Sequence, residues 1–221
     1  QTFNALATSP EANSPQLPNV LSAICTFCEA KDASIVQCLG SILDLFVKRL
    51  MLNQGTPETA GDEISVTNEY TEEKVLILHT LLSIVMSLRT EIGPFVEQLI
   101  KVIIPLMNNA HNETRQVSGH LVPFLFEDLL LSVRASNPQI DDATLQTQTR
   151  PMFYFVVTQI LSMLSNERVT DNIVTLLRSL LLMTRHGGNG CYDLQKLQEI
   201  FGVCDTILLR VVEGKDLGDD V

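Results

Sequence analysis

Residues 97–130 read EQLIKVIIPLMNNAHNETRQVSGHLVPFLFEDLL. Two apolar runs flank a short polar break, NNAHNETR, at 108–115. The break is either a loop presenting His111 and Glu113 for chemistry or the turn of a helical hairpin. Before it, Val96, Leu99, Ile100, Ile103 and Met107 recur at three- and four-residue steps, the period of one helix face. After it, a second helix is predicted from about Glu113 to Val133. A catalytic pair would also need a nucleophile or a metal, and the sequence places neither beside His111. The break therefore reads as a hairpin turn.

The same pattern extends in both directions. Residues 1–16 are polar and rich in Ser, Pro and Asn, and read as a flexible lead. Pro18 suits a first helical position and opens a helix to about Ala30. Asp32 can cap the next, on which Val36, Leu39, Leu43, Phe46 and Leu50 form an apolar face. Residues 54–71 contain Gly55, Pro57 and Gly61 without apolar period and read as a loop. Thr71 is expected to cap a third helix that ends near Gly93, and Pro94 to open the fourth. Residues 136–149 read as a second polar loop, so Thr149 and Pro151 start a sixth helix with Phe153, Val156, Val157, Ile160 and Leu164 inward. A seventh covers about 169–186, showing Ile173, Leu176, Leu177, Leu180 and Leu181. GGNG at 187–190 breaks it before an eighth from Tyr192 to about Glu213. No segment reads as a strand, and Pro105 would damage a central one. The expected class is all-α, one helical domain over 17–215 with an acidic tail at 216–221.

The fourth and fifth helices resemble a HEAT repeat over 94–130. The first helix of such a pair ends in an apolar run containing proline, here Ile103-Ile104-Pro105-Leu106-Met107. A turn with Asn or Asp follows, here Asn108 to Asn112, and the next helix often opens on Val-Arg, replaced here by Thr114-Arg115. Ser118 and Gly119 stand for the family's small residues. Pro123 departs from the pattern and is expected to kink its helix. The resemblance implies an α-solenoid of antiparallel helix pairs, HEAT- or armadillo-like, with about eight helices. If first members begin near 33, 94, 150 and 192, the steps are 61, 56 and 42. Without the two polar loops they become 43, 42 and 42, within the roughly 40–47 residues of paired-helix repeats. The array would then be cut in mid-repeat, and the opening Gln1 reads as the start of an excised or processed piece.

Composition bounds the function. Apolar residues make up 45% of the 221 and charged ones 19%, so a core can form and general disorder is not expected. No uninterrupted apolar stretch reaches the roughly 18 residues of a membrane span. No secretory signal is visible at the N-terminus. Five cysteines, three before residue 40 and two after 190, do not form a disulfide framework and suit a reducing compartment. The net charge of −11 and scattered basic residues argue against a nucleic-acid surface. Acid concentrates between 54 and 73, with six carboxylates and no base.

Other candidate chemistry dissolves on its spacing. Cys25 and Cys28 form a CxxC without the second pair or histidines that zinc requires, and read as core thiols. His79 reads as a satisfied core or groove residue. His120 and Glu127, seven apart on one helix, could share a groove. Asp141-Asp142 lacks the oxygen spacing of a calcium loop. GGNG lacks the Lys-Ser/Thr of a phosphate loop. No cofactor or metal is implied.

The expectation is a non-enzymatic, protein-binding scaffold segment, cytoplasmic or nuclear. Its binding row would be the second helices, 72–91, 112–134 and 169–186, with Lys74, Arg89, Arg115, Glu127, Arg178 and Arg185 setting specificity. Glu63 and Glu69 in the acidic segment would attract basic segments of a partner. Acidic loops inserted in HEAT arrays resemble those of importin-β-type nuclear transport receptors, one possible parent; a large assembly scaffold is another. The competing class is a compact helical enzyme or small-ligand carrier, which requires a convergent polar pocket.

Overall fold

The computed structural model describes residues 17–51 and 63–212, with 63–70 and 189 described as backbone alone. The described residues are helices joined by short turns and contain no strand. The helices are α1 (Leu17–Glu29), α2 (Ala33–Met51), α3 (Glu63–Leu88), α4 (Val96–Leu106), α5 (Asn112–Ser136), α6 (Asp142–Asn166), α7 (Thr170–Gly187) and α8 (Leu194–Val212). A 3₁₀ segment, Arg89–Phe95, joins α3 to α4, and a shorter one, Asn189–Cys191, precedes α8.

Local chemistry sets most boundaries. Asp32 Oδ1 accepts the Ser34 N–H at 2.8 Å and caps α2. Between α1 and α2 the chain reverses through Lys31 at φ 50°, a left-handed position usually given to glycine. In the polar break between α4 and α5, His111 caps α5, its Nδ1 accepting the Thr114 N–H at 3.4 Å. The segment is a short turn between two helices that pack on each other.

Within the two predicted loops, residues 63–71 and 142–149 are helix. α3 begins at Glu63, so Thr71 lies inside the helix and not at its start. Residues 63–71 lack an apolar period but contain no Gly or Pro, and α3 propagates from its buried C-terminal half through them. α6 begins at Asp142, not at Thr149 or Pro151. Asp141 is its cap, accepting the Thr144 N–H at 2.8 Å, and buried Leu145 anchors the first turn. The helices expected to open successive pairs begin at 33, 96, 142 and 194, giving steps of 63, 46 and 52. The unadjusted steps expected were 61, 56 and 42, and the 42–43 spacing fails because it removed 142–149, which is helix, as loop. The lead at 1–16, residues 54–62 and the tail at 216–221 lie outside the described residues.

The core is continuous from Leu17 to Ile207. The predicted inward residues Val96, Leu99, Ile100, Ile103 and Met107 are all buried, as are Phe153, Val156, Val157, Ile160 and Leu164. Val36 and Leu181 are exposed instead. Both lie on helices apolar around more than half their circumference, and the core takes only one side.

Alternate helices pack together: α1 on α3, α3 on α5, α5 on α7, and likewise α2 on α4 and α6 on α8. Sequential neighbours α4–α5 and α6–α7 close the hairpins. Thr71–Leu106 is long and apolar enough to cross a membrane by length and composition, although no uninterrupted apolar run had suggested one. Half of that apolar window is buried inside the protein, where α1 and α5 pack on α3.

α5 runs through Pro123 without ending. A proline lacks the N–H that would bond the carbonyl four residues back, here that of Gly119. Ser179 Oγ, from α7, donates to that carbonyl at 2.7 Å. The 3₁₀ segment also lies hard on α5: a Cβ on Gly93 would fall 2.0 Å from Ser132 Cβ.

Candidate functional site

Because α3, α5 and α7 lie side by side, their outward faces form one surface. On α3 the face shows Leu76, His79 and Met86; on α5, His120, Phe124 and Glu127; on α7, Val174, Arg178, Leu181 and Arg185. Each set follows helical steps of three or four, or their sums, so each is one stripe. Leu76, Met86, Val174 and Leu181 are exposed, Leu181 to 67%.

Polar side chains stitch the stripes together. His79 Nε2 lies 3.4 Å from Glu113 Oε1, linking α3 to α5. This His79 is half exposed and not a core residue. Arg89, at φ 47° where α3 meets the 3₁₀ segment, reaches Glu127 at 2.9 Å and Asp128 at 3.3 Å. The other Glu127 oxygen lies 4.0 Å from His186 Nε2 on α7.

Glu127 and His186 line a cleft of about 510 Å³ between α5, α6 and α7. Phe124, Leu130, Leu131, Leu145 and Leu182 give it apolar walls, Glu127, Arg134, Asp142 and Arg185 give it charge, and His186 adds a polar ring. Arg134 Nη2 holds Asp142 Oδ1 at 2.6 Å across the rim. Burial lowers the His186 pKa; Glu127 opposes that shift, and Arg185 and Arg89 add to it. Beside the cleft, burial pushes the Asp128 carboxyl up to about 7 against the pull of Arg89, with Glu127 raising it further. Burial and Arg178 likewise depress His120, which meets the Phe124 ring edge-on at 5.4 Å between centroids.

The residues expected to bind partners separate into two groups. Glu127 and Arg185 line the cleft, Arg89 reaches Glu127 from beside it, and Arg178 stands two helical turns along from Arg185. Lys74 is buried, and burial lowers its pKa while Glu73 raises it. Arg115 holds the hairpin turns together: its Nε lies 2.9 Å from Glu167 Oε2, and its Nη1 donates to the Asn109 and Ala110 carbonyls at 3.0 and 2.9 Å. Glu63 lies in the first turn of α3; the Glu63 and Glu69 side chains are outside the described residues.

Sequence reading missed Asp128, His186 and the Arg134–Asp142 pair. Asp128 had a signal: it lies seven residues after Leu121 and three after Leu125, in the phase of the buried face. The Arg134–Asp142 pair was hidden because Asp142 read as a loop residue.

Cys28 is buried and Cys25 half-buried on α1, and burial raises the Cys28 thiol to about 11, with Cys25 and Glu29 adding to it. Among the described residues no three metal-ligating side chains converge. No protein-family model matches the chain, and no curated protein matches it.

Proposed function

We propose that the chain is a HEAT-like α-solenoid segment that binds other proteins through the outward faces of α3, α5 and α7. The alternate packing of α1, α3, α5 and α7 supports this, because stacked helix pairs place every second helix in one row. The observation that carries the functional part is the uncovered Leu76, Met86, Val174 and Leu181 on that row. Large side chains cost free energy when left in water, and aligned apolar side chains beside a cleft suit an amphipathic helix laid in a groove. The role is that of a scaffold segment; an importin-β-like transport receptor is one parent compatible with it.

A photo-cross-linking residue placed at Met86 or at Leu181 should capture the same partner in cells. Placed at exposed Ser162 on α6, it should capture none. Capture from Ser162 alone, or from all three positions alike, contradicts the binding row.

The cleft favours a second reading, a small-ligand carrier, since its volume lies in the range of such sites. Small anionic aromatic compounds raising the Tm of the wild type, but not of a Leu182→Asp variant, would support that reading over a protein groove.

A further inference from the structure

The outward stripe of α7 alternates apolar and cationic residues: Val174, Arg178, Leu181, Arg185, at steps of four, three and four. Val174 and Leu181 are exposed, and so are both arginines. Nearby arginines are engaged, Arg89 by Glu127, Arg115 by Glu167 and Arg134 by Asp142. Arg178 and Arg185 make no ion pair among the described residues. The acids nearest this surface are committed: Glu127 to Arg89, Asp142 to Arg134 and Glu113 to His79, while Asp171 sits in the first turn of α7. Two uncompensated guanidinium groups on the outward face of a chain with net charge −11 form a local positive pole.

We propose that this stripe docks an acidic amphipathic helix of a partner protein, with carboxylates about seven residues apart on Arg178 and Arg185 and a large apolar side chain in the cleft beside Leu182. The proposal rests on the outward row being a binding surface and adds the chemistry of its occupant. Seven residues of α7 separate the arginines by about 10 Å along the axis. A partner helix repeats one face over the same length. An extended peptide returns to one side every two residues, at about 6.6 or 13 Å, and matches less well. The apolar requirement follows from Leu181 between the two arginines and from the leucine and phenylalanine walls of the cleft next to Arg185. Arginine forks and carboxylates pair bidentately, so the charges fix the register while the apolar contacts exclude water.

The test uses the full chain and two fluorescent 18-residue helical peptides. Both carry leucines at three- and four-residue steps; one has glutamates seven apart and the other lysines there. Anisotropy should show the glutamate peptide binding at least about tenfold tighter, as two exposed pairs allow. The double variant R178E/R185E should reverse the preference, and high salt should erase it. Leu181→Ala, which removes apolar surface without adding charge, should weaken both peptides equally. Equal binding of the two peptides, or a preference unchanged in R178E/R185E, overturns the acidic partner and leaves the groove standing. Failure of both peptides to bind overturns the proposal, and the photo-cross-linking experiment then judges the groove separately. A dimer in sedimentation that R178E/R185E dissociates makes a second copy the occupant and also overturns it. Melting curves check that R178E/R185E folds, as two exposed positions should permit.

Discussion

Ser179 Oγ lies 2.7 Å from the Gly119 carbonyl oxygen, the carbonyl that Pro123 leaves without its helical donor. The hydroxyl also lies 2.8 Å from the Thr175 carbonyl on its own helix, so one proton serves both acceptors. A residue that ought to weaken α5 thus becomes a point of attachment for α7. Gly119 keeps the crossing close, with Leu176 Cδ2 only 3.4 Å from where its Cβ would stand. Ser179→Ala should cost about 1–2 kcal/mol, the penalty for an unmet buried carbonyl. In the background of Pro123→Ala, which restores the missing N–H, the same change should cost markedly less. A denaturant double-mutant cycle measures the coupling, and additive costs would contradict this role.

Gly93 has a similar constraint for a steric reason. Its missing Cβ would overlap Ser132 Cβ and Oγ, both at 2.0 Å. Gly93→Ala should destabilise by about 2–3 kcal/mol, as overpacked sites do. Ser132→Gly should rescue it, less about 1 kcal/mol for a glycine inside α5. Ser132→Ala should not, because it keeps the clashing Cβ. Urea midpoints of Gly93→Ala alone and combined with each Ser132 substitution decide.

Asp128 makes stability fall as pH rises. Burial lifts its pKa from 3.8 to about 7, so the folded state binds the proton more tightly than the unfolded chain does. The contribution is fully present below about pH 4, declines between pH 4 and 7, and is gone above. At about 1.4 kcal/mol for each tenfold gain in proton affinity, the full loss is on the order of 4–5 kcal/mol. Asp128→Asn should flatten this window and be the more stable protein at pH 8. Lower stability at pH 8 would mean that the Arg89 ion pair outweighs the burial of the charge.

Glu167 acts in the opposite sense. Burial raises its carboxyl, but the N–H groups of Val169 and Arg168 and the side chains of Arg115 and Asn172 together hold it below its ordinary value. The stability it adds is present above the unfolded pKa near 4.5 and is lost as pH falls through the folded one. Arg115→Ala should cost about 3 kcal/mol at pH 7, as removal of one partner from a mostly buried pair does. The deficit relative to wild type should narrow in acid. A deficit constant from pH 7 to 3 would contradict the pairing.

Much of the helix layout was legible because apolar side chains recur with the helical period. The α4–α5 hairpin could be read from Val96, Leu99, Ile103 and Met107, whose single face is buried as expected. Residues 63–71 and 142–149 were not legible as helix, because periodicity reports burial and not helicity. Exposed Asp141 accepts the Thr144 N–H and starts α6 with a single buried apolar side chain, Leu145, in the first turn. Leu181 misled in the other direction: a leucine in phase with its neighbours reads as core, yet α7 turns it outward. At the candidate site, Arg178 and Arg185 were visible as helix-face charges. The Arg89–Glu127–His186 contacts were not, since they join three segments distant in sequence.

Small-angle X-ray scattering of the full chain tests the layered arrangement most directly. Alternate helices stacked in rows expose an open surface and give an elongated particle, with a skewed pair-distance distribution and a long tail. A symmetric distribution, the mark of a near-spherical closed bundle, would contradict the row of α3, α5 and α7 and the groove built on it.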